Sequence, residues 1–500
     1  MTEIVLSPPP PRNLLRALQL AGLALGAALV TAGIVMLHPA RPVAPASRAH
    51  ARALRAAAPS SPSPTPVVAA RPTAAFAALA RPAALAFDRG IFVASPGGVF
   101  ATAARVARWR PIVVRAARTR RVDPNLLEAI VFVESSGRPD AIAGTDAADA
   151  SGLTQLTAST ATRVLRLPVH LRASRLLTRR IRIAHLTGHG DRALTLAARR
   201  RDADARFAPA RELAATAHYL AFARRELGRW DLAVASYHLG VVNVRGLLRR
   251  FGVPSASYAE LYFGSAPDRH AAAWRRLQAF GPTGADYYWK VVAAERVMRL
   301  WRSDRAALAS EDRQQLRKNS AEEVLHPLAS TYRFASPRDL GWAWRHRRLR
   351  AIAQGARRTH LVVSGTLGQM AHRLGRSARL YRGLRPDALS VLLFIGARVH
   401  ALSGSRRPLV VTSAVRDLRY QRVLLRHNAM AARSYSLHTT GYAFDIARVY
   451  GSERQAAAFE FVLDRLVALH LIAYIREPEA IHVAVATGPA AKLRSLRGDL

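Results

Sequence analysis

Asp123-Pro124-Asn125-Leu126-Leu127-Glu128-Ala129-Ile130-Val131-Phe132-Val133-Glu134-Ser135-Ser136-Gly137 carries the clearest structural signal in the chain. Asp123 offers a side-chain acceptor at an N-cap, and Pro124 suits the first helical position, where a missing N–H costs nothing. Leu127, Ile130, Val131 and Glu134 fall at i, i+3, i+4 and i+7, so they share one helix face. That face is apolar until it reaches the glutamate. Ser135-Ser136-Gly137 and Pro139 then end the helix. A carboxyl on such a face is partly desolvated, which raises its pKa, and the negative end of the helix dipole raises it further. Both effects favour a protonated group near neutral pH, the state a general acid needs. The same spacing also describes a solvated glutamate at a frayed helix end.

Working outward, residues 88–300 read as mainly α, with long apolar-periodic stretches and few strand signals. Residues 301–380 are helix-prone and charged, a helical connector without an interpretable motif. Residues 381–500 change character: a helix over Pro386–Leu402 is followed by β-like runs at Pro408–Ser413, Gly441–Ala447 and Ile481–Ala486. This predicts a separate α+β domain. Towards the N-terminus, residues 38–87 are rich in Pro, Ala and Ser and predict an extended spacer. Before it, the run Ala17–Leu37 carries no charge. About 20 apolar residues cross a ~30 Å hydrocarbon core. Residues 14–37 are therefore expected to be a single N-terminal transmembrane helix behind a cytoplasmic tail, 1–13. A cleaved signal peptide ending near Ala44-Pro45-Ala46 is the competing reading.

Three motifs carry a resemblance. Glu134-Ser135-Ser136-Gly137, then Gly152-Leu153-Thr154-Gln155-Leu156, then Ala235-Ser236-Tyr237-His238-Leu239-Gly240 resemble, in order, those of soluble lytic transglycosylases. The stretch Phe207–Leu220 resembles the helix before the third motif. The resemblance implies a lysozyme-like fold and a single acidic residue, Glu134. That residue would protonate the glycosidic oxygen between N-acetylmuramic acid and N-acetylglucosamine, then act as base on the muramic C6 hydroxyl to close a 1,6-anhydro ring. It also implies that Ser135, Gly152, Gln155 and Tyr237 hold the glutamate and the sugar. Two features depart from the pattern: His238 stands where asparagine is usual, and an arginine-rich insertion, about 165–205, separates the second and third motifs. Hydrolysis by a muramidase remains open if a second carboxylate lies near, with Asp146 and Asp149 as candidates by proximity in sequence.

A second set lies near the C-terminus. His438 precedes Asp445 by seven residues, and Glu479-Ala480-Ile481-His482 enters a later β-like run. Two imidazoles and one carboxylate with an open fourth position form a common catalytic zinc set, and Glu479 is then free to serve as general base. In a chain with 17 histidines, three unrelated polar residues are the alternative. The wording Ser-x-His-x-x-Gly-x-Ala-x-Asp over 436–445, with Glu-x-x-His over 479–482, resembles the zinc D-alanyl-D-alanine peptidases of bacterial walls. Val410–Arg416 with Gln421 resembles that family's strand and arginine motif. The resemblance implies Zn2+ held by His438, Asp445 and His482, with Arg416 steadying the tetrahedral oxyanion. Ile481 stands where that family has an aromatic residue. A vestigial domain that only grips stem peptides remains the alternative.

The formal net charge is +42, almost all from arginine, since only Lys290, Lys318 and Lys492 are lysine. Such a chain attracts polyanions, and anionic wall polymers are natural partners beside peptidoglycan. Nucleic acid is disfavoured, because no recognition module is present and the arginines are spread along the chain. Zero cysteines exclude a disulfide framework and any cysteine zinc site. The sequence therefore describes a multidomain, membrane-anchored wall enzyme with both catalytic domains extracytoplasmic. A non-catalytic wall-binding scaffold is the rival class.

Overall fold

A computed structural model describes residues 74–316, 322–427, 435–489 and 493. The expected tail, membrane span and spacer up to residue 73 lie outside the described residues. Among the described residues no single helix is long and apolar enough to cross a membrane.

The first described element overturns part of the expected spacer. Residues Ala74–Ala94 form a helix, α1, not an extended run. Leu79, Ala83, Phe87 and Ile91 recur every four residues and are all buried. Alanine is the strongest helix former, and the four-residue spacing gives the helix a face to bury. The Pro/Ala composition had hidden that period.

The helical unit that follows is organised around helix α2, Pro124–Ser135, and helix α7, Tyr287–Ser303, against which both α1 and α2 pack. Between them come a hairpin of α3, Leu171–Leu186, and α4, Gly190–Ala203. Then follow α5, Pro209–Leu227, and α6, Trp230–Leu239, which pack on each other. The core is aliphatic and aromatic, with Leu127, Ile130, Leu153, Leu213, Val297 and Trp289 fully enclosed.

The C-terminal unit is α+β, as expected, but larger. Its sheet has the order β2-β4-β5-β7-β6, with β2 (Leu361–Val363) parallel to β4 (Leu409–Ser413). β5 (Ala443–Ala447), β7 (Ala480–Val485) and β6 (Ile472–Arg476) continue antiparallel. Helices α8, Pro386–Ser403, and α9, Glu453–Ala468, pack together and against the sheet. β1 (Arg350–Ala351) and β3 (Gly383–Leu384) form a small second sheet. The expected connector, 301–380, is divided between the two units. A helix over Arg305–Leu316 packs on α7 and α1. From His326 onward the chain belongs to the sheet: the His326 ring meets Val485 O at 2.5 Å, Phe334 N–H donates to Thr439 O, and β2 forms a sheet edge. Three residues are too few to show strand alternation in a sequence.

The two units share an interface. Arg398 on α8 makes two hydrogen bonds to Asp268, at 2.8 and 2.7 Å. Arg465 on α9 is buried, donates to Tyr262 O and Ser265 O, and lies over the Tyr262 and Phe263 rings. Trp274 meets Phe461 edge-on at 5.9 Å.

Candidate functional site

Asp123 caps α2 by accepting from Asn125 N–H at 2.8 Å, and Ser136 ends it in the left-handed conformation, φ 55°. Leu127, Ile130 and Val131 are fully buried, so the helix face anticipated from spacing is the core face, and it delivers Glu134 to the last turn. Glu134 keeps partial solvent access. Burial pushes its carboxyl up to about 7, against a hydrogen bond from Tyr287 and the charge of Lys290, both of which pull it down. Tyr287, from the start of α7, donates its hydroxyl to Glu134 Oε1 at 2.7 Å. Its ring stacks on Tyr237 at 6.1 Å and lies 5.2 Å from His238. Burial also lowers the His238 pKa, helped by Lys290, so the imidazole is neutral near pH 7.

The loop carrying the second motif is hung beside this carboxyl by side chains from three helices and by one of its own. Ser135 is buried, and its Oγ donates to Leu153 O at 2.8 Å. The Tyr237 hydroxyl donates to Thr154 O at 2.7 Å, and Gln155 Nε2 donates to Gly152 O and Ala141 O. Glu212, in the first turn of α5, accepts from Leu153 N–H, Thr154 N–H and the Thr154 hydroxyl at 2.7, 2.8 and 2.9 Å. Gly152 has φ +89°, and a Cβ there would stand 2.1 Å from Arg206 O and 2.5 Å from the Glu212 carboxylate. No other residue fits.

The expected site residues Glu134, Tyr237, Ser135, Gly152 and Gln155 thus come together in one network. Ser135, Gln155 and Tyr237 direct their polar atoms at main-chain carbonyls, which makes them the frame of the site. Asp146 lies at the surface, bound to Arg175 at 2.8 Å, and Asp149 accepts from Asp146 N–H at 3.3 Å. Neither is among the groups that act on Glu134. Tyr287, Lys290, Glu212 and Arg206 were not singled out from sequence. Glu212 lies inside the quoted stretch Phe207–Leu220, but a glutamate in a first helical turn ordinarily faces water. Tyr287 lies 153 residues from Glu134, and nothing local distinguishes it among 13 tyrosines.

Residues 111–176 match the family model described as Transglycosylase SLT domain. The match begins just before α2, contains Glu134 and the loop at 151–156, and ends within α3. Over these residues the chain is similar to transglycosylase SLT domains, in agreement with the resemblance carried by Glu134-Ser135-Ser136-Gly137 and Gly152–Leu156.

The second cluster is equally well defined. Asp445 on β5 and His482 on β7 are cross-strand partners, with His482 Nδ1 2.7 Å from Asp445 Oδ1. His438 comes from a short turn before β5, its Nε2 3.2 Å from the same oxygen. All three are buried, and one potential ligand atom from each lies within 4.8 Å of the others. His438 Nδ1 sits 2.8 Å from Ala414 O, a bond only an Nδ1–H can make, which turns Nε2 towards Asp445 Oδ1. Burial and then Arg416 lower the His438 pKa to about 4, against the pull of Asp445. Burial alone would raise Asp445, but the two histidines hold it ionised, well below the usual carboxylate range. Two neutral-capable imidazoles and one carboxylate are a donor set for a divalent cation such as zinc, and their spacing fits one.

Arg416 lies alongside, 3.7 Å from Asp445 Oδ2, held by Ser413 Oγ at 2.7 Å and Gln421 Oε1 at 3.1 Å. Asp417 fixes that arrangement: it caps the helix Leu418–Leu425 through Arg419 and Tyr420 N–H and accepts from the Tyr381 hydroxyl. Arg416 and Asp445 open onto a groove of about 200 Å³ whose other wall is Thr366–Met370, part of the segment that carried no motif in the sequence. Glu479, the expected general base, is exposed in the β6–β7 turn, its main-chain oxygen accepting from Arg448 N–H.

Proposed function

We propose that this protein is a peptidoglycan lytic transglycosylase in which Glu134 is both acid and base. The observation that carries the reading is the Glu134 carboxyl, at the last turn of α2 inside the matched residues, which accepts the Tyr287 hydroxyl at 2.7 Å and is pushed up to about 7 by burial. Protonated Glu134 gives its proton to the glycosidic oxygen as the bond to muramic C1 breaks. The resulting carboxylate takes the proton of the C6 hydroxyl as O6 bonds to C1, so the 1,6-anhydro ring closes without water and Glu134 is restored. Among the described residues no aspartate or glutamate is among the groups that shift the Glu134 carboxyl, which favours this course over the two-carboxylate hydrolytic scheme. Digestion of sacculi followed by mass spectrometry tests it: anhydro-muropeptides are expected, and products that are all hydrated reducing ends overturn it.

Because the acid form is the starting form, activity falls as pH rises through about 7. Tyr287→Phe removes a donor that favours the carboxylate, so that alkaline limb moves to higher pH. Loss of the orienting bond lowers the rate roughly tenfold. A limb left in place by the variant would detach Tyr287 from the acid.

The C-terminal unit is read as a zinc peptidase acting on D-alanine-containing stem peptides, with His438, Asp445 and His482 as ligands. A bound zinc would supply Lewis acidity for the peptide carbonyl and for water. Arg416, bonded to Ser413 and Gln421 at the groove wall, would bind developing negative charge, and Glu479 remains the candidate base. About one zinc per chain is expected from metal analysis of the purified protein, and His482→Ala should remove it. A metal-free wild type would leave the unit as a stem-peptide grip. The apolar run at 14–37 is read as the anchor that keeps both units outside the cytoplasmic membrane.

A further inference from the structure

The α3–α4 hairpin has its own small core, Ile181, Ala184, Ala193 and Leu196, which is enough to hold its two helices together. It nevertheless presents further aliphatic side chains to water: Leu176 at 51%, Ile183 at 50%, Leu186 at 63% and Leu194 at 69% exposure. On α3 the first three recur at i, i+7 and i+10, so they run along one side of the helix, with the exposed Arg179 and Arg180 between them. From Leu171 to Ala203 the chain has nine arginines against two aspartates. Arg175 is paired with Asp146, and Arg200 is tucked over the Phe207 ring. Arg172, Arg179, Arg180, Arg182, Arg192 and Arg201 are exposed and form no salt bridge among the described residues. Nearly all of the hairpin lies beyond the matched residues, which stop at 176.

We propose that this hairpin is a docking surface for an anionic lipid bilayer. Guanidinium groups interleaved with protruding leucines and isoleucine are the surface that the headgroup region of such a bilayer complements. The arginines meet phosphate, and the aliphatic side chains enter the acyl boundary. A soluble polyanion would satisfy the arginines alone and leave the aliphatic stripe in water, which is why lipid is the better fit. Docking would hold Glu134 near the membrane face of the wall, independently of either cutting chemistry.

The absence of cysteine makes the test clean. In the full chain, Leu186→Cys carries an environment-sensitive fluorophore, and Val449→Cys, an exposed position in the C-terminal unit, serves as control. Phosphatidylglycerol-containing vesicles are expected to give a blue shift and a several-fold intensity rise at 186 but not at 449. The response should be lost in the Arg179→Glu, Arg180→Glu, Arg182→Glu triple variant. No response at 186, or the same response at 449, overturns the proposal. So does an equal response to phosphatidylcholine alone, or an equal response to soluble polyphosphate, which would mark the surface as a polymer-binding one.

Discussion

Glu134→Gln is expected to lower release of anhydro-muropeptides by about 10³-fold while leaving the fold unchanged. Glutamine keeps the shape of the side chain and can still accept from Tyr287. It cannot hand a proton to the glycosidic oxygen, nor take one from the C6 hydroxyl, so both halves of the reaction stop together. Removing a buried group with so raised a pKa also relieves a strain: the folded state no longer has to suppress ionisation as pH rises. For a carboxyl whose folded pKa lies above its unfolded value, stability is full below the unfolded pKa and falls towards about 7. The glutamine variant should therefore lose less stability between about pH 4.5 and 7 than wild type, even as activity disappears. Near-normal product release by the variant would move the acid elsewhere and undo the proposed mechanism.

Arg206→Ala is expected to cost about 3–5 kcal/mol, because it strands a buried charge. Arg206 and Asp204 are both fully buried and bonded at 2.7 Å. The same guanidinium donates to Ala147, Asp149 and Leu156 carbonyls at 2.5, 3.0 and 3.2 Å, spanning the whole second-motif loop. Alanine would leave three carbonyls short of a donor and the Asp204 carboxylate short of its counter-charge. Thermal unfolding of the variant should come earlier by on the order of 10 °C. Unfolding at the wild-type temperature would show that the loop is held by Glu212, Ser135 and Tyr237 without it.

What the sequence disclosed followed the range of each signal. The helix Pro124–Ser135 was legible to the residue at its start and within a few residues at its end, since cap, periodicity and stop are all local. The strands at 409–413, 443–447 and 480–485 and the helix from Pro386 were found within a few residues, for the same reason. His438, Asp445 and His482 were expected as a cluster, and the structure brings them together. What escaped is the supporting shell. Tyr287 reaches Glu134 across 153 residues, and the Arg206 and Glu212 contacts to the loop span 50 or more. Those partners exist only after folding, and no short-range pattern encodes them. The same holds for β2, three residues that become a strand because β4 offers an edge to pair with.

That edge strand and α1 have a practical corollary. A C-terminal fragment begun at residue 381 would lack β2, leaving β4 with an open margin, and would lack Thr366–Met370, one wall of the groove beside Arg416. An N-terminal fragment begun at residue 88 would cut α1 through its middle and drop Leu79, Ala83 and Phe87 from the interior. Neither piece would be a smaller enzyme. Each would be an opened shell whose missing side was stored in a part of the chain that composition alone had labelled as tether.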